Sequence, residues 1–386
     1  MVAKCRIAIF LLFVLVVNLY TRADSVNESD SLRISLLTCS PGDEIYNSYG
    51  HSAIRVQDMR NGFDVVFNYG TFDFGTPFFV PKFLRGTLDY MLSASNFPRF
   101  ISTYQREQRG VVEREFILST SQKEEMERFL FFNLQPENRF YRYDFFFDNC
   151  ATRIRDIAFR ITNKDSQKSR KLSDTETFRD CLHCYVTQNE WYGAGIDLIL
   201  GVRTDKYISA YEKAMLPDFL EELLINENLV GAPHVILERA NSKKPTSPLA
   251  TPISISAIVS IVILALTICE AKKGIWLKWV DYTLFTVMSL LALLFWFLWV
   301  ISEIKITTYN VNVLWASILY IPLIIGMLRW QNTMVKRLAT INIVLLFIYL
   351  VVTICGVQFA PSIAISSAFC LTLRNVAIVY RSRSIK

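Results

Sequence analysis

Histidine is scarce in this chain. His51, His183 and His234 are the only three in 386 residues. Chemistry that needs an imidazole must use one of them. Metal sites are poorly provided for. Cys181-Leu182-His183-Cys184 has no second half at ligand spacing, which argues against zinc. An exported disulfide or two unpaired thiols suits the pair better, and the thioredoxin-like βαβ setting of a redox pair is missing. No internal repeat is present. Charge is absent from long stretches: residues 245–269, 282–302, 306–328 and 338–373 contain no Asp, Glu, Lys or Arg. The formal charge of +6 is no nucleic-acid signature, because much of the basic excess lies in the short loops between those stretches.

What is present falls into two parts. Up to about Lys244 the sequence is mixed and charged, roughly 220 residues of it exported, enough for one core. Beyond it, apolar runs dominate. At the N-terminus, Lys4 and Arg6 precede the apolar Ile7–Leu19, and Thr21-Arg22-Ala23 offers small residues at a cleavage site. Residues 1–23 therefore read as a signal peptide or a retained anchor, with Cys5 too early to be lipidated at a junction. Residues 24–239 form the exported domain, 240–250 a Pro- and Ser-broken linker, and 251–386 a helical membrane domain. The charge-free runs give five predicted spans, near 251–269, 282–302, 308–328, 338–356 and 360–380. Gly356 and Pro361 divide the last run, and Arg374 snorkels near one end. With residues 24–245 outside, the inward segments hold ten basic residues from Lys272 to Lys386, and the outward loops only Lys305.

In the exported part, alternation predicts strands at 33–37, 49–56 and 63–69, with Asn61-Gly62 as a hairpin turn. That hairpin makes His51 and Asn68 neighbours. Residues 70–95 read as an aromatic, Gly-rich loop with a short helix. Thr103–Gln108 and Val111–Leu118 read as a strand pair, Ser121–Asn133 as an amphipathic helix. Residues 164–176 read as a surface loop and 177–226 as mostly helical.

Phe140–Asp156 carries the chemistry. An aromatic run leads to Asp148 and Asn149, good N-caps, and to Cys150 in the first turn of a helix continued by Ala151, Ile154, Ile157 and Ala158. The positive end of a helix dipole favours a thiolate there. A nucleophilic Cys needs a base. His51, after Gly50 at a strand start, is the best placed of the three. Asn68 is the candidate to orient it, with Tyr69, Asp73 or a backbone carbonyl as alternatives.

The order His51, Asn68, Cys150 permutes that of a papain-like site, which runs Cys, His, Asn. It resembles the permuted papain-like thiol enzymes, the lecithin retinol acyltransferase-like group. LLTCSPGDEIYNSYGHSAIRV at 36–56, PENRFYRYDFFFDNCATRIRD at 136–156 and GIDLILG at 195–201 further resemble the outer domain of the lipoprotein N-acyltransferase family of Bacteroidota. Thr307, Asn310, Asn312, Leu314 and Trp315 resemble that family's outward membrane loop. Relatives often have an acidic residue then His where this chain has Glu303 then Ile304, a departure.

The resemblance implies an α+β, circularly permuted papain-like domain joined to an all-α membrane domain. It implies Cys150 as nucleophile, His51 as base, Asn68 as orienting group, and no cofactor. Its substrates would be a phospholipid acyl donor and a diacylated lipoprotein acceptor, at the periplasmic face of a bacterial inner membrane. Phe78-Phe79 and Phe145-Phe146-Phe147 could meet acyl chains or simply fill the core. A thiol hydrolase of the same fold, or a non-enzymatic lipid- or peptide-binding membrane protein, are the competing readings.

Overall fold

The computed structural model describes residues 31–186, 190–239 and 247–384. The predicted signal segment, with Cys5, and most of the linker lie outside them. Strands β1 (Leu32–Cys39), β2 (His51–Asp58) and β3 (Phe63–Thr71) are followed by helix α1 (Phe79–Arg85), β4 (Asp89–Asn96), α2 (Phe97–Arg106) and β5 (Val111–Glu115). Then come α3 (Thr120–Leu134), β6 (Phe140–Arg142), α4 (Cys150–Ile161), β7 (Leu172–Thr177), α5 (Phe178–Val186) and α6 (Glu190–Ile199). β8 (Tyr207–Ser209), α7 (Ala210–Lys213), α8 (Pro217–Asn226) and β9 (His234–Leu237) complete the exported part. Seven strands form one antiparallel sheet in the order β6-β4-β3-β2-β1-β5-β9, and β7 and β8 pair separately.

Strand period decides how the sheet is covered. On β1, Leu32, Ile34 and Leu36 share a core with Ile154, Ile157 and Ala158 of α4. Leu37 and Cys39 point the other way, to Phe100 and Tyr104 of α2. Both faces of β1 are therefore covered. The hairpin turns where predicted, with Gly62 at φ 67°.

Some segments differ from the sequence reading. Residues 97–106 are helix, not strand: the Asn96 side chain accepts the Arg99 N–H and Pro98 sits in the first turn, a helix-start pair. Phe100 and Tyr104, four apart, then land on one buried face. The 70–95 region ends in strand β4, and the 164–176 loop contains the start of β7. His234 opens β9, the edge strand beside β5.

The second part contains α9 (Pro252–Lys273), α10 (Lys278–Val300), α11 (Tyr320–Leu328), α12 (Asn332–Ile354) and α13 (Ser362–Ser384). Among the described residues, α9, α10, α12 and α13 are long and apolar enough to cross a membrane. The remaining predicted span, 308–328, is a turn of 3-10 helix, Val311–Val313, and then the nine-residue α11. At 1.5 Å per residue that helix is about 14 Å long, too short to cross alone. Polar pins explain the break. Gln358 donates to Asn310 Oδ1 at 3.1 Å and accepts from the Val311 N–H at 2.8 Å, while Trp315 Nε1 donates to Asn312 Oδ1 at 2.8 Å. Irregular backbone survives at membrane depth only when protein satisfies it in this way.

Arg374 does not snorkel. It is fully buried between helices, paired with Glu270 of α9 at 2.5 Å and Asp281 of α10 at 2.7 Å. Both carboxylates lie just outside the charge-free runs, within reach of α13 only once the helices pack.

The two parts are fastened together. Leu198 O accepts from Asn310 Nδ2 at 2.7 Å and Asn312 Nδ2 at 2.9 Å, and the Gly201 N–H donates to Ile306 O at 3.0 Å. A Cβ on Gly201 would collide with the Thr308 carbonyl, so the approach requires glycine. The GIDLILG stretch is thus a docking element against the outward loop of the membrane part.

Candidate active site

Asn149 fixes the start of α4. Its Oδ1 accepts the N–H groups of Ala151 at 2.9 Å and Thr152 at 2.8 Å, and Thr152 Oγ1 accepts the Asn149 N–H at 2.7 Å. Its Nδ2 donates to Phe145 O at 2.6 Å and Met215 O at 2.8 Å, so both ends of the amide are used. Asp148 instead grips Arg153, at 2.6 and 2.8 Å.

The capped helix sets Cys150 over the ends of β2 and β3. β3 carries a bulge between Asn68 and Thr71, and Gly70 within it has φ 89°. That positive φ disfavours a side chain, and a Cβ there would press on Tyr143 at 3.3 Å, close to Cys150 Cβ at 3.8 Å. The backbone amides of Ser52, Ala151 and Cys150 itself face the sulfur. They favour the thiolate, yet burial outweighs them and the thiol is held above its ordinary pKa. Desolvation is thus the larger effect at this sulfur, opposing the thiolate that the helix start favours.

His51 and Asn68 come together across the hairpin. His51 Nε2 lies 3.2 Å from Asn68 Oδ1, and Asn68 Nδ2 donates to Val66 O at 3.3 Å. The second bond orients the amide, so Nε2 carries the proton and Nδ1 keeps its lone pair. Burial lowers the imidazole pKa to about 4; Arg109 lowers it further and Asn68 opposes the shift. His51 is accordingly neutral at rest. The imidazole bonds to Asn68 and not to the thiol; what links Cys150 to it is Ser52, the next residue along β2.

The alternatives for orienting His51 lie elsewhere. Tyr69 is buried against the α4 core, and Asp73 accepts the Gly75 N–H at 2.8 Å. The other histidines have different partners. His183 Nε2 meets both oxygens of Asp197, at 3.0 and 3.1 Å, and its ring packs against Phe359 of the membrane part. His234 is exposed, 3.8 Å from Glu113. Cys181 packs in a core with Phe178 and Leu182, while Cys184 is exposed, and both are free thiols.

Sequence reasoning missed a cluster behind His51. Cys39 pairs with His51 in the sheet, its thiol hydrogen-bonds Tyr104, and burial pushes it up to about 12. Arg109 lies over the Tyr104 ring at 4.6 Å and donates to Ser40 O at 2.8 Å. The Asn96-Phe97-Pro98 helix start was the signal that would have placed Tyr104 there. Tyr141 and Tyr143 border Gly70, as Cys150 does.

The described residues thus place Asn68 on the His51 ring and three backbone amides at the Cys150 sulfur, with Ser52 adjoining both. Residues 20–183 match the family model described as the Lnb N-terminal periplasmic domain. Residues 243–384 match that of the Lnb transmembrane domain. No curated protein and no solved structure matches the chain. The two matches cover most of the sequence and meet in the order of the two structural parts. The chain belongs to the Lnb family, carrying its periplasmic N-terminal domain and its transmembrane domain on one polypeptide.

Proposed function

We propose that the protein is a lipoprotein N-acyltransferase working through a Cys150 thioester. The observation that carries this reading is a neutral His51–Asn68 pair one residue from the Ser52 amide that faces a half-buried thiol at a capped helix start, in a periplasmic domain docked on membrane helices. In the first half-reaction Cys150 Sγ attacks an acyl ester carbonyl of a phospholipid as its proton passes to His51 Nδ1. The Ser52 and Ala151 amides receive the oxyanion. Collapse breaks the ester C–O bond, and the His51 proton goes to the departing lysophospholipid alkoxide.

In the second half-reaction the free α-amine of a diacylglyceryl-cysteine attacks the thioester. His51 takes the amine proton, the amide forms, the C–S bond breaks, and the proton returns to sulfur. No cofactor enters the scheme. A thiol that ionises only as it attacks suits a lipid-facing site, where a standing thiolate would be expensively desolvated. With the broken segment 308–328 taken as a fifth crossing, the orientation that agrees with the loop charges is an inner-membrane protein with its C-terminus in the cytoplasm.

The test is intact-mass analysis of a reporter lipoprotein from cells lacking N-acylation, expressing this chain or Cys150→Ala. One added acyl group on the N-terminal cysteine, with the unsubstituted chain only, is the expected result. Free fatty acid without acylated lipoprotein would replace the transferase by a hydrolase.

A further inference from the structure

The loop before α1 and α1 itself present bulky side chains to the outside. Phe78 is 79% exposed, Phe74 64%, Val80 62% and Phe83 49%. Phe78 does this at a conformational cost. Its φ is 58°, a left-handed conformation that disfavours a side chain by roughly 1–2 kcal/mol. A position suited to Gly or Asn thus holds a large aromatic that contributes little to the core. Lys82 and Arg85 follow on the same short helix.

The location of this patch is set by the membrane part. Ser302 Oγ donates to Leu84 O at 2.8 Å, and the Glu303 N–H donates to Arg85 O at 2.8 Å. Gly86 lies so close to Ile304 that a Cβ there would stand 2.9 Å from its side chain. Ser302 and Glu303 are the second and third residues beyond Val300, the end of spanning helix α10. That end carries Trp296 and Trp299, stacked at 5.4 Å, with Tyr309 against Trp299 at 5.7 Å, the aromatic belt of a membrane interface. α1 is therefore pinned at headgroup depth on the periplasmic side, with exposed apolar side chains and two basic ones to meet phosphates.

We propose that α1 and its preceding loop form an aromatic wedge seated in the periplasmic leaflet of the bilayer. From the wedge, rings run inward. Phe83 meets Phe79 at 6.3 Å, Phe79 meets Phe72 at 5.7 Å, Phe72 meets Tyr90 at 5.3 Å and Tyr90 stacks on Tyr143 at 4.2 Å. Tyr143 borders the Gly70 gap beside Cys150. The seating does not depend on acyl transfer. The use of these rings as the route of a donor chain does rest on that reading.

The experiment places the photo-cross-linker p-benzoylphenylalanine at residue 78, 83 or 59 of the full chain in native membranes. Residue 59 follows the far end of β2 and is exposed, making it the aqueous control. All three are made in the Cys150→Ala background, so lipid adducts cannot be acyl-enzyme and the result is independent of catalysis. The expected result is phospholipid adducts at 78 and 83, about tenfold or more above those at 59. Equal lipid labelling at all three positions, or protein adducts in place of lipid at 78 and 83, overturns the proposal.

Discussion

Asn68 Oδ1 lies 3.2 Å from His51 Nε2, and Asn68 is itself held by Val66 O. The amide thus selects one tautomer and leaves Nδ1 as the basic nitrogen. Asn68→Ala would leave a half-buried N–H unpaired and free the ring to turn. Losing such a bond costs about 1–3 kcal/mol, so turnover should fall about 10- to 100-fold, mostly in kcat. Steady-state kinetics with phospholipid donor and lipopeptide acceptor would check this. An unchanged kcat would remove Asn68 from the mechanism.

His51 also sets the response to acid. Its pKa is lowered from 6.5 to about 4, so the folded protein keeps it neutral while the unfolded chain protonates it. Between those values the unfolded state binds more protons, and stability falls as pH drops from about 6.5 towards about 4. The acidic limb of kcat/KM, which reports the free enzyme, should likewise lie well below the ordinary histidine value. A pH profile with its acidic midpoint at about 6.5 would contradict the half-buried, neutral imidazole.

Much of this site was legible because its signals are local. Asn61-Gly62 announced the hairpin that joins His51 to Asn68, and Asn149 announced the helix that presents Cys150. What escaped depends on distant partners. A helix dipole acts within one turn and can be read from sequence, whereas the desolvation that outweighs it at Cys150 comes from burial that only the assembled fold creates. The broken span is pinned by Gln358, 48 residues from Asn310. Arg374 read as a snorkelling residue because Glu270 and Asp281 lie 104 and 93 positions away. The misread 103–108 segment was different: its helix start at Asn96-Phe97-Pro98 and the helical spacing of Phe97, Phe100, Ile101 and Tyr104 were both in plain view.

Asn149 gives a stability prediction of its own. Asn149→Ala removes a cap worth about 1 kcal/mol and also strands the carbonyls of Phe145 and Met215. Asn149→Asp keeps the accepting oxygen but loses both donated bonds and brings a carboxylate against those carbonyls. Both should lower the Tm, and Asp should fail to rescue Ala. Thermal melts in detergent would decide, and full rescue by Asp would show that capping alone matters.

Arg374 is the pin of the helical part. Arg374→Met leaves Glu270 and Asp281 without their buried partner, a change that costs about 3–5 kcal/mol. Arg381, also paired with Glu270 at 2.8 Å, can compensate for one carboxylate but not for Asp281. The variant should express poorly and melt early. Adding Asp281→Asn should recover part of the loss, because it removes the stranded charge.

Gly201 tests whether docking matters to catalysis. Its Cα lies against the Thr308 carbonyl, and a methyl group there must push the outward loop away. Gly201→Ala should therefore loosen the bonds from Asn310 and Asn312 to Leu198 while leaving the β1–β2 ladder and the Asn149 cap intact. Hydrogen exchange should rise at 198–204 and 304–312 but not in β1 or β2. If donor lipid reaches the thiol through a fixed arrangement of the two parts, a misplacement of about 1 Å can cost on the order of 100-fold in rate. Acylation of Cys150 by membrane phospholipid should fall by that order, whereas labelling by a small water-soluble thioester should not change. Equal losses with both donors would mean that the substitution damages the thiol site itself rather than its seating over the membrane.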